Sequence, residues 1–177
     1  MRYFAYGSNL SISRLQQRVP SAHRVGLFML HSHDLRFHKS GKDGSGKCDA
    51  FETGDSSHFV MGSLFEIDPS EKPYLDRVEG LGFGYEEKEV TVVDKSGLRI
   101  MARTYYATKI DESLRPYSWY LNHVTVGAIE SSVSDLYLKR IKSIVSTEDP
   151  CQERDARERA IHNQQDKANI DGPPRAV

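Results

Sequence analysis

The sequence predicts an α+β fold: a small mixed, mostly antiparallel β-barrel with flanking helices. Two observations carry that prediction. Runs rich in β-branched and aromatic residues follow one another at hairpin spacing, and helical patterns interrupt them only near the start, the middle and the end. A length of 177 residues allows one domain, with or without a tail. A hydrophobic content of 38% beside 28% charged residues suits a globular chain with a core. The net charge of −1, with acids and bases interspersed, gives no reason to expect nucleic acid as a partner. No apolar run approaches the ~20 residues of a membrane-spanning helix, and no basic-then-apolar leader is visible, so no membrane partner is expected. Cys48 and Cys151 stand far apart without metal-type spacing and read as reduced thiols of a cytoplasmic protein.

Tyr3 to Tyr6 is a first strand running straight into Gly7-Ser8-Asn9. A short helix is expected from Ser11 to Val19, with Ile12, Leu15 and Val19 on one face and Pro20 as its stop. Residues 23–37 alternate well enough for one long strand, or two joined by a bulge. A Gly- and Lys-rich loop follows from Lys39 to Lys47, then a short strand over Cys48–Glu52 and a clear one over Phe59–Ile67. Asp68-Pro69-Ser70-Glu71 combines a capping Asp, a first-turn Pro and an acid three residues after the cap, which starts a helix. Gly80, Gly82 and Gly84 end it near Glu79. Tyr85–Val93 and Leu98–Ala107 form a hairpin through Asp94-Lys95-Ser96-Gly97. Helical spacing returns from Pro116 to about Val126, and again through Val133, Leu136, Tyr137, Ile141 and Val145. These elements define a domain of residues 1–147. Residues 148–177 lack an apolar stripe and read as a polar C-terminal tail, partly helical or disordered, whose removal should leave the core intact.

Two places carry chemistry. A strand that ends in Gly7 at the mouth of a helix gathers free backbone N–H groups into an anion site, with Ser8 and Asn9 able to add side-chain hydrogen bonds. On the middle helix Leu75, Val78 and Glu79 fall on one side, placing a carboxylate on the apolar stripe at a helix C-terminus. Burial and the helix dipole would both favour its neutral form there, as suits an acid–base group.

Tyr6-Gly7-Ser8-Asn9-Leu10, then Leu75-Asp76-Arg77-Val78-Glu79-Gly80 followed by Gly84-Tyr85, resembles the gamma-glutamyl cyclotransferase-like (AIG2-like) family. Phe37-His38-Lys39-Ser40, the Asp43–Asp49 loop, Tyr120-Leu121 and Gly127-Ala128 extend the likeness over roughly residues 2–145, in the right order. The resemblance implies an enzyme that closes a gamma-glutamyl amide to 5-oxoproline, as in glutathione metabolism, without metal or organic cofactor. Glu79 would be the catalytic acid–base. Tyr6, Gly7, Ser8, Asn9, Leu10, Tyr85 and Tyr120 would bind the small-molecule substrate. A homodimer is left open. The same fold could instead act on a gamma-glutamyl amine or a carrier-bound glutamyl thioester, or serve as a non-catalytic small-molecule-binding module. Tyr117 and Trp119 stand just before Tyr120 where the family often has a Pro-Ser-Pro turn, which bears on the substrate rather than the reaction.

Three other patterns carry less. Gly41–Cys48 nearly spells a phosphate-binding loop, but Cys48 stands where a hydroxyl should hold magnesium and no amphipathic helix follows. Lys47 there remains within reach of an anionic substrate. His31 and His33 could share a strand face, yet no third ligand has suitable spacing. Ser8 as an acyl-transfer nucleophile lacks a nominated base.

Overall fold

The first strand, β1 (Arg2–Ala5), is buried over Tyr3, Phe4 and Ala5 because neighbours flank it on both edges. It pairs antiparallel with β5 (Phe59–Glu66), Phe4 opposite Leu64, and parallel with β7 (Arg99–Ala107) at Tyr3 and Arg103. With β2 (His23–His31) and β6 (Tyr85–Val93), these strands close a barrel in the order β1-β5-β2-β6-β7. The single parallel seam makes the barrel mixed. The structure, a computed structural model, describes the backbone of residues 1–170 and the side chains of residues 1–162. Within it, the β6–β7 hairpin runs in unbroken register from Tyr85–Ala107 to Val93–Arg99. Gly97, at φ 89°, supplies the left-handed residue that its turn needs.

The run over residues 23–37 divides into two strands, with a register shift of its own between Arg24 and Gly26. Ser32 adopts φ 60° and turns the chain out of the barrel. The next strand, β3 (His33–Ser40), pairs with β4 (Gly46–Glu52) in a separate two-stranded ribbon, with one further bridge from Lys39 to Ile110. His31 and His33 therefore lie on different strands, and the His33 ring contacts Lys88 Nζ at 2.9 Å. Of the P-loop-like stretch, Gly41–Ser45 is the tip of this ribbon and Gly46–Cys48 begins β4. The ribbon is tied to the barrel by the Ala107 N–H donating to Asp49 Oδ1 at 2.8 Å.

The helix expected from Ser11 to Val19 is shorter and arrives in two pieces. A 3-10 turn spans Ser8–Leu10, Ser11 is extended, and α1 covers Ile12–Gln16. α2 (Lys72–Glu79) follows a 3-10 turn over Pro69–Glu71, capped as the sequence implies by Asp68 accepting from Ser70 N at 2.8 Å. It ends on Gly80 at φ 78°, whose N–H donates to Asp76 O. The stripe on α2 is narrower than expected. Leu75 is fully buried, but Val78 is 38% exposed.

Two apolar clusters fill the molecule. One joins the barrel lumen to α3 (Ser118–Glu130) and α4 (Asp135–Lys142) through Phe4, Leu64, Val92, Val124 and Ile141. The other, around Phe65, lies beneath Leu15, Val19 and Leu75 and holds α1 and α2 on the barrel. The polar tail is helical over its first part, one of the two forms expected of it, and its docking is what the composition did not suggest. α5 (Gln152–Ile170) is a helix, and its first turns are docked through charges rather than an apolar stripe. Arg14 reaches Glu158, His123 reaches His162, and Arg154 makes two bonds to Asp149. The last part of the expected tail, residues 171–177, lies outside the described residues.

Candidate active site

Strand β1 delivers the Gly7–Leu10 turn to one end of the barrel, and α2 brings Glu79 against it from the far side. Among the described residues the N–H groups of Gly7, Ser8 and Asn9 have no protein acceptor, while that of Leu10 donates to the Gly7 carbonyl at 2.9 Å. Leu10 itself points into the core, fully buried, so it is not at the cavity. The 3-10 turn buries its side chain in the core, while Gly7, Ser8 and Asn9 line the inner cavity. Gly7 sits against β4, where a Cβ would come 2.9 Å from Cys48 Cβ and 3.4 Å from the Tyr120 hydroxyl. The turn is held from behind by α3. At Gly127 a Cβ would fall 2.3 Å from Ser11 N, so only glycine allows the helix this close.

Glu79 is partly buried, its side chain 16% exposed. Its Oε1 accepts from Asn9 Nδ2 at 2.8 Å and from Arg18 at 3.0 Å. Arg18 also donates to Asn9 Oδ1 at 2.7 Å, closing a three-membered polar ring. Oε2 has no partner among the described residues. Arg18 thus sets a cation beside this carboxylate, a partner that burial and the helix dipole do not account for. Arg18 lies four residues beyond Arg14, and that spacing next to Gly-Ser-Asn was the available signal.

Two cavities meet here, sharing Ser8, Glu79, Tyr85 and Tyr120 as common walls. The inner one, about 30 Å³, lies between Gly7–Asn9, Cys48 and the tyrosines, including Tyr6, Tyr3 and Tyr105. The outer one, about 290 Å³, is at the lower edge of the ~300–1,000 Å³ of small-molecule sites. Tyr85 and Tyr120 clamp the Cys48 peptide from both sides: the Tyr85 hydroxyl donates to its carbonyl and the Tyr120 hydroxyl accepts from its N–H. Neither hydroxyl bonds Glu79. Tyr6 borders the inner cavity while its hydroxyl donates to the Tyr105 carbonyl at 2.6 Å. Burial pushes the phenols of Tyr3, Tyr6, Tyr85 and Tyr120 up, so they remain protonated. Burial likewise pushes the Cys48 thiol up, which makes it a poor nucleophile. Of the residues that line both cavities, Glu79 is the one carboxylate, the side-chain type that can both accept and donate a proton.

Trp119 walls the outer cavity, with its indole N–H donating to Asp149 at 2.7 Å. Tyr117 turns away from it and donates to the Asp43 carbonyl. No group of three or more metal-ligating side chains occurs among the described residues, and none of the described helices is long and apolar enough to cross a membrane.

Residues 59–141 match the AIG2-like family. A gamma-glutamylcyclotransferase of Bos taurus is 35% identical over 149 residues, spanning 80% of this chain and 77% of the relative. The Homo sapiens gamma-glutamylcyclotransferase is 34% identical over 149 residues, with the same coverage of 80% and 77%. A solved structure described as a gamma-glutamyl cyclotransferase superposes with a TM-score of 0.81 at 26% identity, covering 90% of this chain and 98% of that one.

Proposed function

The chain belongs to the AIG2-like gamma-glutamylcyclotransferase family, an enzyme family, and on that premise we propose that it closes a gamma-glutamyl amide to 5-oxoproline and releases the amine half. The observation that carries this reading is the placing of Glu79. One oxygen is fixed by Asn9 and Arg18 and the other has no partner among the described residues, beside a cavity that Gly7, Ser8 and Asn9 also line. The inner cavity has room for little more than one small polar group. The substrate's α-carboxylate fits there, against the N–H groups of Gly7, Ser8 and Asn9. The rest of the glutamyl unit then extends past Glu79 into the outer cavity.

The α-amine, once it has shed its extra proton, attacks the side-chain carbonyl carbon. Glu79 Oε2 accepts the proton that the amine loses as the C–N bond forms. The same carboxyl then protonates the departing nitrogen as its bond to that carbon breaks. No water is consumed, and the products are the five-membered lactam and a free amine. Because nucleophile and carbonyl belong to one molecule, fixing their orientation supplies much of the rate. Tyr85 and Tyr120, held protonated, complete the wall by bracing the β4 backbone opposite Gly7.

The test is release of 5-oxoproline from a panel of gamma-glutamyl compounds, followed by chromatography. Release from gamma-glutamyl amides of amino acids supports the reading. Release solely from gamma-glutamyl amines or glutamyl thioesters would move the substrate class, and binding without turnover would mark a non-catalytic module.

A further inference from the structure

We propose that Lys39 and Lys47 form the subsite for the departing half of the substrate, and that this half carries two negative charges, as an acidic amino acid does. The proposal rests on the gamma-glutamyl reading above and deepens it. Lys39 on β3 and Lys47 on β4 are directly opposed in the ribbon, and both line the outer cavity. Like charges on opposed strand positions destabilise a sheet. Burial adds to that cost: Lys39 is only 8% exposed, and desolvation pushes both ammonium groups down from their usual range.

Both ammoniums rest on aromatic faces. Lys39 Nζ lies 4.6 Å from the Tyr85 ring centre, and Lys47 Nζ lies 4.6 Å from those of Trp119 and Tyr120. The Lys39 stem passes over Gly84, where a Cβ would come 3.0 Å from its Cε and 3.3 Å from its Nζ. Any larger residue before Tyr85 would displace this lysine.

The charges around the cavity do not balance. Its two acids are already engaged: Asp43 with Lys47 at 2.7 Å and Glu79 with Arg18 at 3.0 Å. Arg14 is held by Glu158 on α5. Lys39, Lys42 and Lys109 have no carboxylate within 4.0 Å among the described residues, yet all three face the same space. A cationic or neutral leaving group would leave this wall uncompensated. One carboxylate would answer part of it, and a dianion answers Lys39 while sharing Lys47 with Asp43. A ligand of that charge repays the cost of holding two lysines face to face.

The experiment compares kcat/KM for gamma-glutamyl-glutamate and gamma-glutamyl-glutamine, which match in shape and differ by one charge. The parent chain should favour the glutamate compound by about tenfold, the worth of one further charge-assisted contact, mostly through KM. That preference should shrink as salt is added. Lys39→Met should bring the ratio close to one. Lys109→Met, on the exposed rim, should lower it by a smaller factor and keeps the test open if Lys39→Met does not fold. Gamma-glutamyl-phosphoserine, whose departing half carries close to three charges, separates a phosphate-bearing from a dicarboxylate leaving group, and preference for either over the glutamine compound supports a subsite for more than one negative charge. A ratio near one for both anionic compounds in the parent, or a ratio that both variants leave unchanged, overturns the proposal. If no compound yields 5-oxoproline, the reaction reading fails by itself. Calorimetry of the two dipeptides on Glu79→Gln protein then decides the subsite, with equal affinity counting against it.

Discussion

Replacing Glu79 with Gln retains an oxygen that Asn9 and Arg18 can still donate to, so the loop and α2 should stay where they are. What is lost is the oxygen that exchanges a proton. Turnover should fall by at least ~10²-fold, the usual loss for a general acid–base group, while calorimetry still detects bound substrate. Near-parental 5-oxoproline release would remove Glu79 from the mechanism. Gly7→Val tests the other half of the site. Its Cβ would press on Cys48 at 2.9 Å and tilt the amides away from the inner cavity. KM should rise about tenfold or more with the circular dichroism spectrum unchanged, and an unaltered KM would discount the amide cradle. Both sets of residues were legible in the sequence because Gly-Ser-Asn and Glu-Gly mark backbone geometry locally. Arg18 was not, since its bond to Glu79 joins residues 61 apart and exists only once α1 and α2 meet on the barrel. The Leu10 amide, expected to be free, is taken by the Gly7 carbonyl within a 3-10 turn. A 3-10 turn and an α-helix point the same residue in different directions, and the sequence does not separate them.

At the scale of elements, the site is a junction of β1, α2, α3 and the β3–β4 ribbon, and its tightest point is Gly127. A methyl group there would overlap Ser11 N and Leu10 C, both backbone atoms with nowhere cheap to go. Gly127→Ala should therefore cost about 1–3 kcal/mol, the range for overpacking, even though alanine is the better helix former. It should also raise KM by shifting the Gly7–Leu10 turn. Thermal melting together with steady-state kinetics checks both, and a stabilised variant would show that α3 does not brace the loop. Strand pairs such as β6–β7 were readable from alternation and turn residues, which act over a few positions. The break at Ser32 was not readable. A serine at φ 60° has no local marker, and without that break β2 and β3 look like one strand. The Asp68 cap and Gly80 stop fixed α2 well, whereas Val78 looked apolar by type but opens onto the cavity.

For the whole molecule the question is what α5 contributes, because its composition gave no sign of docking. Its hold is electrostatic and partly buried: the Arg14 and Glu158 side chains are 9% and 16% exposed. His123 Nε2 meets both Arg14 at 2.9 Å and the Glu158 carboxylate at 3.2 Å, while Nδ1 faces His162. Burial pushes the fully enclosed His123 down to about 4, with Arg14 and His162 adding to that effect. Burial alone would raise Glu158, but His123 and Arg14 outweigh it and bring the group down to about 2. Both shifts act in one direction. Between about pH 6.5 and 4 the unfolded chain takes up a proton at His123 that the folded chain refuses, so stability is present above this window and lost as pH falls through it. Glu158 extends the loss below pH 4.5. From pH 7 to 4.5 the contribution of His123 amounts to about 2 kcal/mol, or roughly 4–8 °C in melting temperature for a chain of this size. Removing residues 148–177 takes away Glu158 and the Asp149 acceptor of Trp119, leaving Arg14 without its counter-charge beside the cavity. The shortened chain, residues 1–147, should still fold, since both apolar clusters lie within it. It should melt lower than the full chain at pH 7, and its stability should change less between pH 7 and 4.5. Scanning calorimetry of both chains across that range decides the matter. Equal melting temperatures at pH 7 would make α5 a passive appendage, and an unchanged pH dependence would place the titrating group elsewhere.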